Sequence, residues 1–263
     1  MDYFSLLIAG DLDGLLSLFA GEPRLNDPHA GLIQGRPAFE TFVHENSSWL
    51  KERQAEVERV ATTSTSLRIV EESILHLQED QEHIALPVAL AADLSAPPDH
   101  SHHSDHSDYL DQLDHLDHIR IYHSQWPLLK THRLRPPILP AHRDLTLSGA
   151  VARYQGALAQ GDLETILDQF EPDGYAREPA GGQYIHRGPA ELRRFYSALF
   201  ASSGGIPLEH CTLTDDGVRC AIEYNVTRWG KTALPPQAGI AVYERGPSGL
   251  IAAARIYDDV DPP

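Results

Sequence analysis

The same ten-residue pattern occurs twice in this chain of 263 residues. Residues 10–19 read GDLDGLLSLF and residues 161–170 read GDLETILDQF, with Gly, Asp, Leu, Leu and Phe at matching positions. Glycine readily adopts the left-handed conformation that closes a helix, and aspartate is a favoured N-cap for the next one. The apolar residues then recur at i, i+3, i+4 and i+7, which makes one helical stripe. The pattern predicts a corner between two helices whose leucines and phenylalanine belong to a core.

The similarity between the two halves continues downstream. Residues 25–43 match residues 176–196, and Pro37 and Pro189 stand where each predicted third helix begins, a position that needs no N–H. Strands are predicted at about 55–77, 83–93 and 117–124, and again at about 207–214, 217–229, 238–244 and 249–257. We therefore interpret the chain as a duplication of the α+β class, in which each half packs three helices on a meander of antiparallel strands.

A proline-rich stretch separates the halves. It reads THRLRPPILPAHRDLTLS over residues 131–148 and has no helical or strand period, which is typical of a partly extended linker. We expect domain 1 at 1–130, the linker at 131–148 and domain 2 at 149–263. At about 3.3 Å per residue, such a linker is long enough to let the two halves pair with each other.

Charge and composition exclude some partners. The formal net charge is −17, with 38 acidic against 21 basic residues, so we expect neither a nucleic acid nor an anionic membrane as a partner. The start MDYFSLLIAG lacks the basic residues of a signal peptide, and no apolar run reaches the ~18 residues of a membrane span. Cys211 and Cys220 flank a predicted tight turn, a poor geometry for a disulfide. The expected location is cytoplasmic, and no cofactor is expected.

The second half resembles the nuclear transport factor 2-like superfamily, and within it the branch of SnoaL-like proteins and ketosteroid isomerases. The resemblance rests on ARYQGALAQGDLETILDQF, on the acid–proline pair of AREPAGG and on HRGPAELRRFYSAL. It covers nearly all of residues 150–258 and, in a weaker version, residues 1–124. The fold it implies is a cone, in which three helices and a curved antiparallel sheet enclose one apolar pocket. Because this fold hosts isomerases, cyclases, epoxide hydrolases and binding modules, it does not by itself assign an activity.

The resemblance implies two catalytic residues in the second half. Tyr154 matches the first-helix tyrosine of ketosteroid isomerases, and Glu178 matches their catalytic acid before a proline. Their later strand acid has no counterpart, since the matching residue is Gly239, or Ala238 if the alignment slips. Tyr154 would donate a hydrogen bond to a developing oxyanion, and Glu178 in an apolar pocket would act as the base. The structural alternatives are a tyrosine that only fills the seam between helix and sheet and a surface ion pair between Glu178 and Arg177 or Arg187.

The first half offers secondary candidates, Tyr3 and Asp27, at the corresponding positions. Because Tyr3 begins a helix that we expect to fray, the first half is interpreted as a structural partner. In the second half, the predicted ligand pocket consists of Tyr184, Phe195, Tyr224, Trp229, Arg255 and Tyr257. Arg255 would bind an acidic substrate group or pair with Glu223 or Asp258, and the sequence leaves open which strand face looks into the pocket.

A His- and Asp-rich insertion, residues 97–119, interrupts the last hairpin of the first half. Imidazole and carboxylate groups are ligands of zinc, nickel and copper. The main candidates for metal ligands are His100, His102, His103 and His106. Their spacing is not that of a structural metal site and the composition is typical of a solvated loop, so the sequence favours no metal site.

Two functions of different classes follow from the sequence. The first is an enzyme that performs acid–base isomerisation, cyclisation or epoxide opening on a small apolar molecule, with Glu178 as base and Tyr154 as donor. The second is a non-catalytic module that binds a ligand or a protein partner. We also expect the two halves to form an intrachain pseudo-dimer and the chain to be a monomer in solution.

Overall fold

Each half of the chain forms one body of helices and a sheet. The computed structural model describes residues 2–79, 82–95, 116–181, 184–201 and 204–261. The first half contains α1 (Tyr3–Ala9), α2 (Leu12–Ser17), β1 (Arg24–Asp27), β2 (Gly31–Gln34), α3 (Arg36–Glu52), β3 (Glu56–Ser64), β4 (Arg68–Glu79), β5 (Glu82–Leu94), β6 (Leu116–Tyr122) and α4 (Trp126–Leu129). The second half contains α5 (Gly149–Gln160), α6 (Leu163–Leu167), β7 (Phe170–Arg177), β8 (Ile185–Arg187), α7 (Gly188–Ala201), β9 (Leu208–Asp215), β10 (Arg219–Trp229), β11 (Thr232–Arg245) and β12 (Ile251–Tyr257). None of the described helices is long and apolar enough to cross a membrane.

Both copies of the repeated motif form the predicted helix corner. Gly10 and Gly161 end α1 and α5 in the left-handed conformation, with φ angles of 73° and 71°. The side chains of Asp11 and Asp162 accept hydrogen bonds from the backbone N–H three residues ahead, at 2.9 and 3.1 Å. These bonds cap α2 and α6, because the first N–H groups of a helix have no partner within it. The prediction for this motif is confirmed.

The two sheets have the same topology. Their strand orders are β2-β1-β6-β5-β4-β3 and β8-β7-β12-β11-β10-β9. The sequence prediction missed the hairpin that precedes each third helix. β1, β2 and β8 have only three or four residues and show no clear period, and β7 contains Pro172 and Gly174, which argue against a strand. β1 and β7 pair in parallel with β6 and β12, so each sheet is mixed at this point and antiparallel elsewhere. With helices packed on the sheet, each body is the α+β cone that the resemblance implies.

The first body has a continuous core that includes its N-terminal helix. Tyr3 is fully buried, and its ring packs edge-on against Phe4 with centroids 5.3 Å apart. The expectation that this helix end frays is therefore wrong. Burial of its aromatic side chains holds the start of this helix in place.

The outer faces of the two sheets pack against each other. A hydrophobic cluster joins residues of both halves: Val70, Ala89, Ala91, Tyr122, Ala221, Ala238, Ile240, Val242 and Tyr257. Successive residues of a strand point to opposite faces, so the strands that bury one face against their own helices bury the other in this interface. The two halves therefore contact each other through their sheets within one chain.

A buried acidic residue of the first half binds two residues of the second. Glu72 accepts hydrogen bonds from Arg255 Nε at 2.6 Å and from the Tyr257 hydroxyl at 2.7 Å. All three residues are at most 2% exposed. Arg255 and Tyr257 thus lie in the interface and not in the pocket wall, which corrects the prediction for both. Arg255 pairs with neither Glu223 nor Asp258, because it faces the other sheet.

The second half makes the same contact in return. Glu223 accepts hydrogen bonds from Arg120 Nε at 2.6 Å and from the Tyr122 hydroxyl at 2.7 Å. Burial opposes the charge of Glu223, but the Arg120 guanidinium outweighs it and holds the pKa of this carboxyl below its usual range. Equivalent positions that exchange the same contact are the pattern of an interface with two-fold symmetry. The tripeptide RIY occurs at 120–122 and again at 255–257, and in each half its arginine and tyrosine make these contacts.

The linker packs against the second sheet. Residues 131–148 contain no helix or strand, as expected. The carbonyl of Arg135 accepts a hydrogen bond from the Ala238 N–H at 2.9 Å, and the carbonyl of Leu139 accepts one from Asn225 Nδ2 at 3.0 Å. These bonds use polar groups on the interface side of the second sheet, so the linker belongs to the interface between the halves.

Candidate functional site

A cavity of about 320 Å³ lies inside the second body. Pockets for small organic ligands usually span about 300–1,000 Å³, so this cavity suits a small one. Its wall is aromatic and aliphatic, with two carboxyl groups and one imidazole. The residues that line it include Trp126, His132, Tyr154, Ala176, Glu178, Tyr184, Phe195, Tyr196, Tyr224, Trp229, Tyr243, Ile256 and Asp258. The structure thus brings both main catalytic candidates and four of the predicted pocket residues to one cavity.

Small side chains make room for this cavity at two positions where the first body has larger ones. Ala176 of β7 lines the cavity, and the residue at the same register position of β1 is Leu25. Gly239 of β11 corresponds in the same way to Val88 of β5. Leu25 and Val88 are buried in the first core. Their larger side chains occupy volume that Ala176 and Gly239 leave free in the second body.

Asp258 is a cavity residue that the sequence argument missed as a site residue. It follows the end of β12, and its Oδ2 accepts a hydrogen bond from the Tyr224 hydroxyl at 2.7 Å. Gly239 makes room for both groups, since a Cβ there would lie 2.7 Å from the Tyr224 ring and 2.8 Å from the Asp258 Cβ. Asp258, which follows the neighbouring strand β12, therefore lies beside Gly239, the position that matches the strand acid of ketosteroid isomerases. Strand alternation from Ile256 would have placed residue 258 on the inner face.

The surroundings of Asp258 favour its neutral form. Burial raises the pKa of Asp258 to about 6, against the opposing effect of the hydrogen bond from Tyr224. The side chain keeps some accessible surface, which faces the cavity that it lines. A carboxyl group that titrates near neutral pH can both accept and donate a proton, which suits general acid–base chemistry.

Glu178 is the second carboxyl group of the cavity. Its Oε1 lies 2.5 Å from Nε2 of His186, and the two side chains are 31% and 26% exposed. The His186 ring stacks on Phe195, another wall residue, with centroids 4.4 Å apart. The partner of Glu178 is therefore this histidine and not Arg177 or Arg187, the two arginines that the sequence offered for a surface ion pair. The stacked imidazole holds the carboxylate in one direction at a partly exposed part of the wall.

The hydroxyl of Tyr154 has a partner inside the cavity wall. It lies 2.8 Å from the hydroxyl of Tyr196, and burial raises the pKa of Tyr154 to about 12, so it stays protonated. Two paired hydroxyls carry two protons, and the bond between them uses one. The other proton is available to a bound oxygen.

The secondary candidates of the first half do not line this cavity. Asp27 Oδ1 accepts hydrogen bonds from the backbone N–H groups of His29 at 2.7 Å and Ala30 at 2.8 Å, so its carboxylate closes the turn of the first hairpin. Tyr3 is buried in the filled core of the first body. A structural role accounts for both residues.

The metal candidates His100, His102, His103 and His106 lie outside the described residues. Within the described ranges, no three His, Cys, Asp or Glu side chains are placed to hold a metal ion. β6 begins at Leu116, so the last residues of the predicted insertion belong to the sheet. His118 is one of them: it is buried with its Nε2 2.6 Å from Asn26 Oδ1, and burial lowers its pKa to about 4.

Residues 151–254 match the family model of the SnoaL-like domain. The second half of this chain is a SnoaL-like domain. Since the first half has the same strand order, the chain carries two tandem copies of the fold. No curated protein matches the chain.

Solved structures similar to this chain each cover about two fifths of it. One is a proposed polyketide cyclase from Sinorhizobium meliloti, with 21% identity over 42% of this chain and 94% of its own and a TM-score of 0.36. Another is SalBIII, an epoxide hydrolase/cyclase-like enzyme in pyran ring formation in the polyether salinomycin, with 20% identity, coverage of 41% and 87%, and a TM-score of 0.35. A third is a SnoaL-like protein of unknown function from Burkholderia thailandensis, with 15% identity, coverage of 43% and 98%, and a TM-score of 0.35.

Proposed function

We propose that the SnoaL-like domain is an acid–base enzyme that acts on a small, mostly apolar molecule in the aromatic cavity. The observation that carries the proposal is the carboxyl group of Asp258, which lies inside that cavity and holds a hydrogen bond from Tyr224. Glu178, oriented by His186, is the second proton-transferring group. A reaction that moves a proton needs such groups near the substrate at a pKa close to the working pH.

The groups in the wall support a proton shift next to a carbonyl group. A carboxylate, from Asp258 or Glu178, takes a proton from a substrate carbon, and the electron pair of the broken C–H bond delocalises onto the carbonyl oxygen. The Tyr154–Tyr196 pair donates its remaining proton as a hydrogen bond to that oxygen. In a β,γ-unsaturated substrate, the carboxyl group returns the proton to the γ carbon, the carbon–carbon double bond moves to the α,β position and the carbonyl re-forms. This completes an isomerisation in which no electron or leaving group is lost.

The charges in the wall restrict the substrate. Among the described residues that line the cavity, His132 has the only basic side chain, whereas two side chains are acidic. An anionic substrate would face Asp258 and Glu178 without a compensating cation. We therefore expect an uncharged or cationic molecule.

The proposal is tested by base-catalysed hydrogen exchange. The protein is incubated in D₂O with a panel of uncharged cyclic ketones, and loss of the proton signal at the carbon next to the carbonyl is followed by NMR. We expect exchange above background with the wild-type chain and a strong loss with Asp258→Asn and Glu178→Gln. Asp27→Asn is the matched control, because it changes the equivalent acid of the first half and keeps an acceptor for the turn.

A non-catalytic binding module is the second candidate. The specific observation that favours it is that several polar groups of the wall already have hydrogen-bond partners. Tyr154 pairs with Tyr196, Tyr224 with Asp258, and Tyr243 with Gln155, which does not line the cavity. Saturable binding of the ketones, with the same exchange rate for wild type, Asp258→Asn and Asp27→Asn, would favour this function over the enzyme.

A further inference from the structure

One wall of the cavity comes from outside the SnoaL-like domain. Trp126 and His132 line the cavity, although both precede the residues that match the family model, 151–254. Trp126 begins α4, directly after the last strand of the first body. Its ring stacks on that of His132, with centroids 4.9 Å apart and 23° between the planes. The first half and the linker together therefore supply part of the site in the second half.

A single carboxylate holds this wall in place. Asp259 accepts hydrogen bonds from Ser124 Oγ at 2.6 Å, from His132 Nδ1 at 3.0 Å and from the backbone N–H of Arg133 at 2.7 Å. Asp259 is 6% exposed and is not part of the cavity wall. Its neighbour Asp258 lines the cavity. The two consecutive aspartates therefore point to opposite sides of the end of β12, and Asp259 binds the segment that carries Trp126 and His132.

We propose that Trp126 and His132 determine which ligands the cavity accepts, and that Asp259 positions them. This inference rests on the proposed function only in that the cavity binds a small molecule. Trp126 belongs to the first half and His132 to the linker, and both contribute to the wall of a cavity whose other described residues belong to the second half. A large aromatic ring at the wall limits the size of the ligand beside it, and a ring held by a stack and by hydrogen bonds keeps that limit rigid.

The test compares two uncharged fluorescent probes that differ by one phenyl ring, 1-naphthylamine and N-phenyl-1-naphthylamine. Their dissociation constants are measured by fluorescence titration at neutral pH, and their ratio reports size selectivity. Trp126→Ala should change this ratio by about tenfold, since truncation of a tryptophan at a binding surface commonly costs that much affinity. Trp49→Ala is the matched control, because Trp49 packs in the first body and does not line the cavity. Equal ratios for the two variants would overturn the inference.

Asp259 needs a readout that a purely structural role would not change. Asp259→Ala should shift the probe ratio in the direction of Trp126→Ala, and Asp259→Asn, which keeps one acceptor oxygen, should restore part of it. Tyr257→Phe is the control for stability, because it loses a buried hydrogen bond to Glu72 in the interface and leaves the cavity wall intact. A lower melting temperature with an unchanged ratio in Asp259→Ala would overturn the positioning role.

The failures can be told apart. If the probes bind saturably and Trp126→Ala does not change the probe ratio, the role of Trp126 and His132 in ligand selection is contradicted. The proposed acid–base function is unaffected by that result. If Trp126→Ala shifts the probe ratio but the wild-type chain shows no hydrogen exchange in the ketone assay, the acid–base function is contradicted. The role of Trp126 and His132 in ligand selection is then supported. No saturable binding of either probe to the wild-type chain contradicts both.

Discussion

Replacing Asp258 with asparagine should stabilise the protein above pH 6 and change little near pH 4. The pKa of Asp258 is raised from 3.8 to about 6, so the folded state holds the proton more tightly than the unfolded state does. Between these pH values the unfolded chain ionises first, and the free energy of unfolding of the wild type falls as the pH rises. Two pKa units at about 1.4 kcal/mol each set an upper value of about 3 kcal/mol. Asparagine avoids this loss, because it has no charge to desolvate and its Oδ1 still accepts from Tyr224.

The assay is urea unfolding of wild type and Asp258→Asn at each pH from 4 to 8, followed by tryptophan fluorescence. The difference between the two proteins isolates residue 258, since every other titrating group is common to both. We expect a difference near zero at pH 4 that grows to about 1–3 kcal/mol at pH 7 and then stays level. Asp261→Asn is the control, because Asp261 is exposed. A difference that does not depend on pH, or a variant less stable than wild type at pH 7, would refute the reasoning.

Four further predictions concern the cavity and the interface. Tyr154→Phe should cost about 1 kcal/mol in thermal or urea unfolding, since it removes one buried hydrogen bond, and a cost near zero would contradict that bond. Glu72→Ala should cost about 3–5 kcal/mol in the same assay, because Arg255 is left buried without its main partner, and Glu72→Gln should cost less. Gly239→Ala should cost about 1–3 kcal/mol, because its Cβ would overlap the cavity residues, and carboxyl-carbon NMR should show a changed pKa of Asp258. The chain should scatter light as a monomer of 29.1 kDa at micromolar concentration, because its sheets already pair within the chain, and a larger mass would contradict this.

Local features of the fold could be predicted because adjacent residues determine them. Gly10 and Asp11 end one helix and cap the next through contacts within a few residues, and Gly161 and Asp162 repeat this. Most long strands could be predicted from their periodicity, although the stretch predicted at about 55–77 is two strands, β3 and β4. The hairpins before the third helices could not, because three or four residues are too few to show a period and because β7 contains a proline and a glycine.

For the site, the sequence predicted two of the residues in the cavity wall but not their hydrogen-bond partners. The resemblance implied Tyr154 and Glu178 as catalytic candidates, and both lie in the cavity wall. It passed over Asp258, because the role of that residue depends on the space at Gly239, which lies on a different strand. The partners of Glu178 and Tyr154, a histidine and a second tyrosine, also come from other elements.

The sequence by itself determined that the chain is a duplication of an α+β cone, because both the repeat and the capping chemistry act over short distances. Only the tertiary structure decided which face of each sheet became a cavity and which became an interface. Arg255 is the clearest case: its partner Glu72 lies 183 residues away, and a strand's alternation gives two faces without saying which is inside. That choice depends on how two distant surfaces pack, since the buried charge of Arg255 needs a partner and that partner, Glu72, comes from the other half.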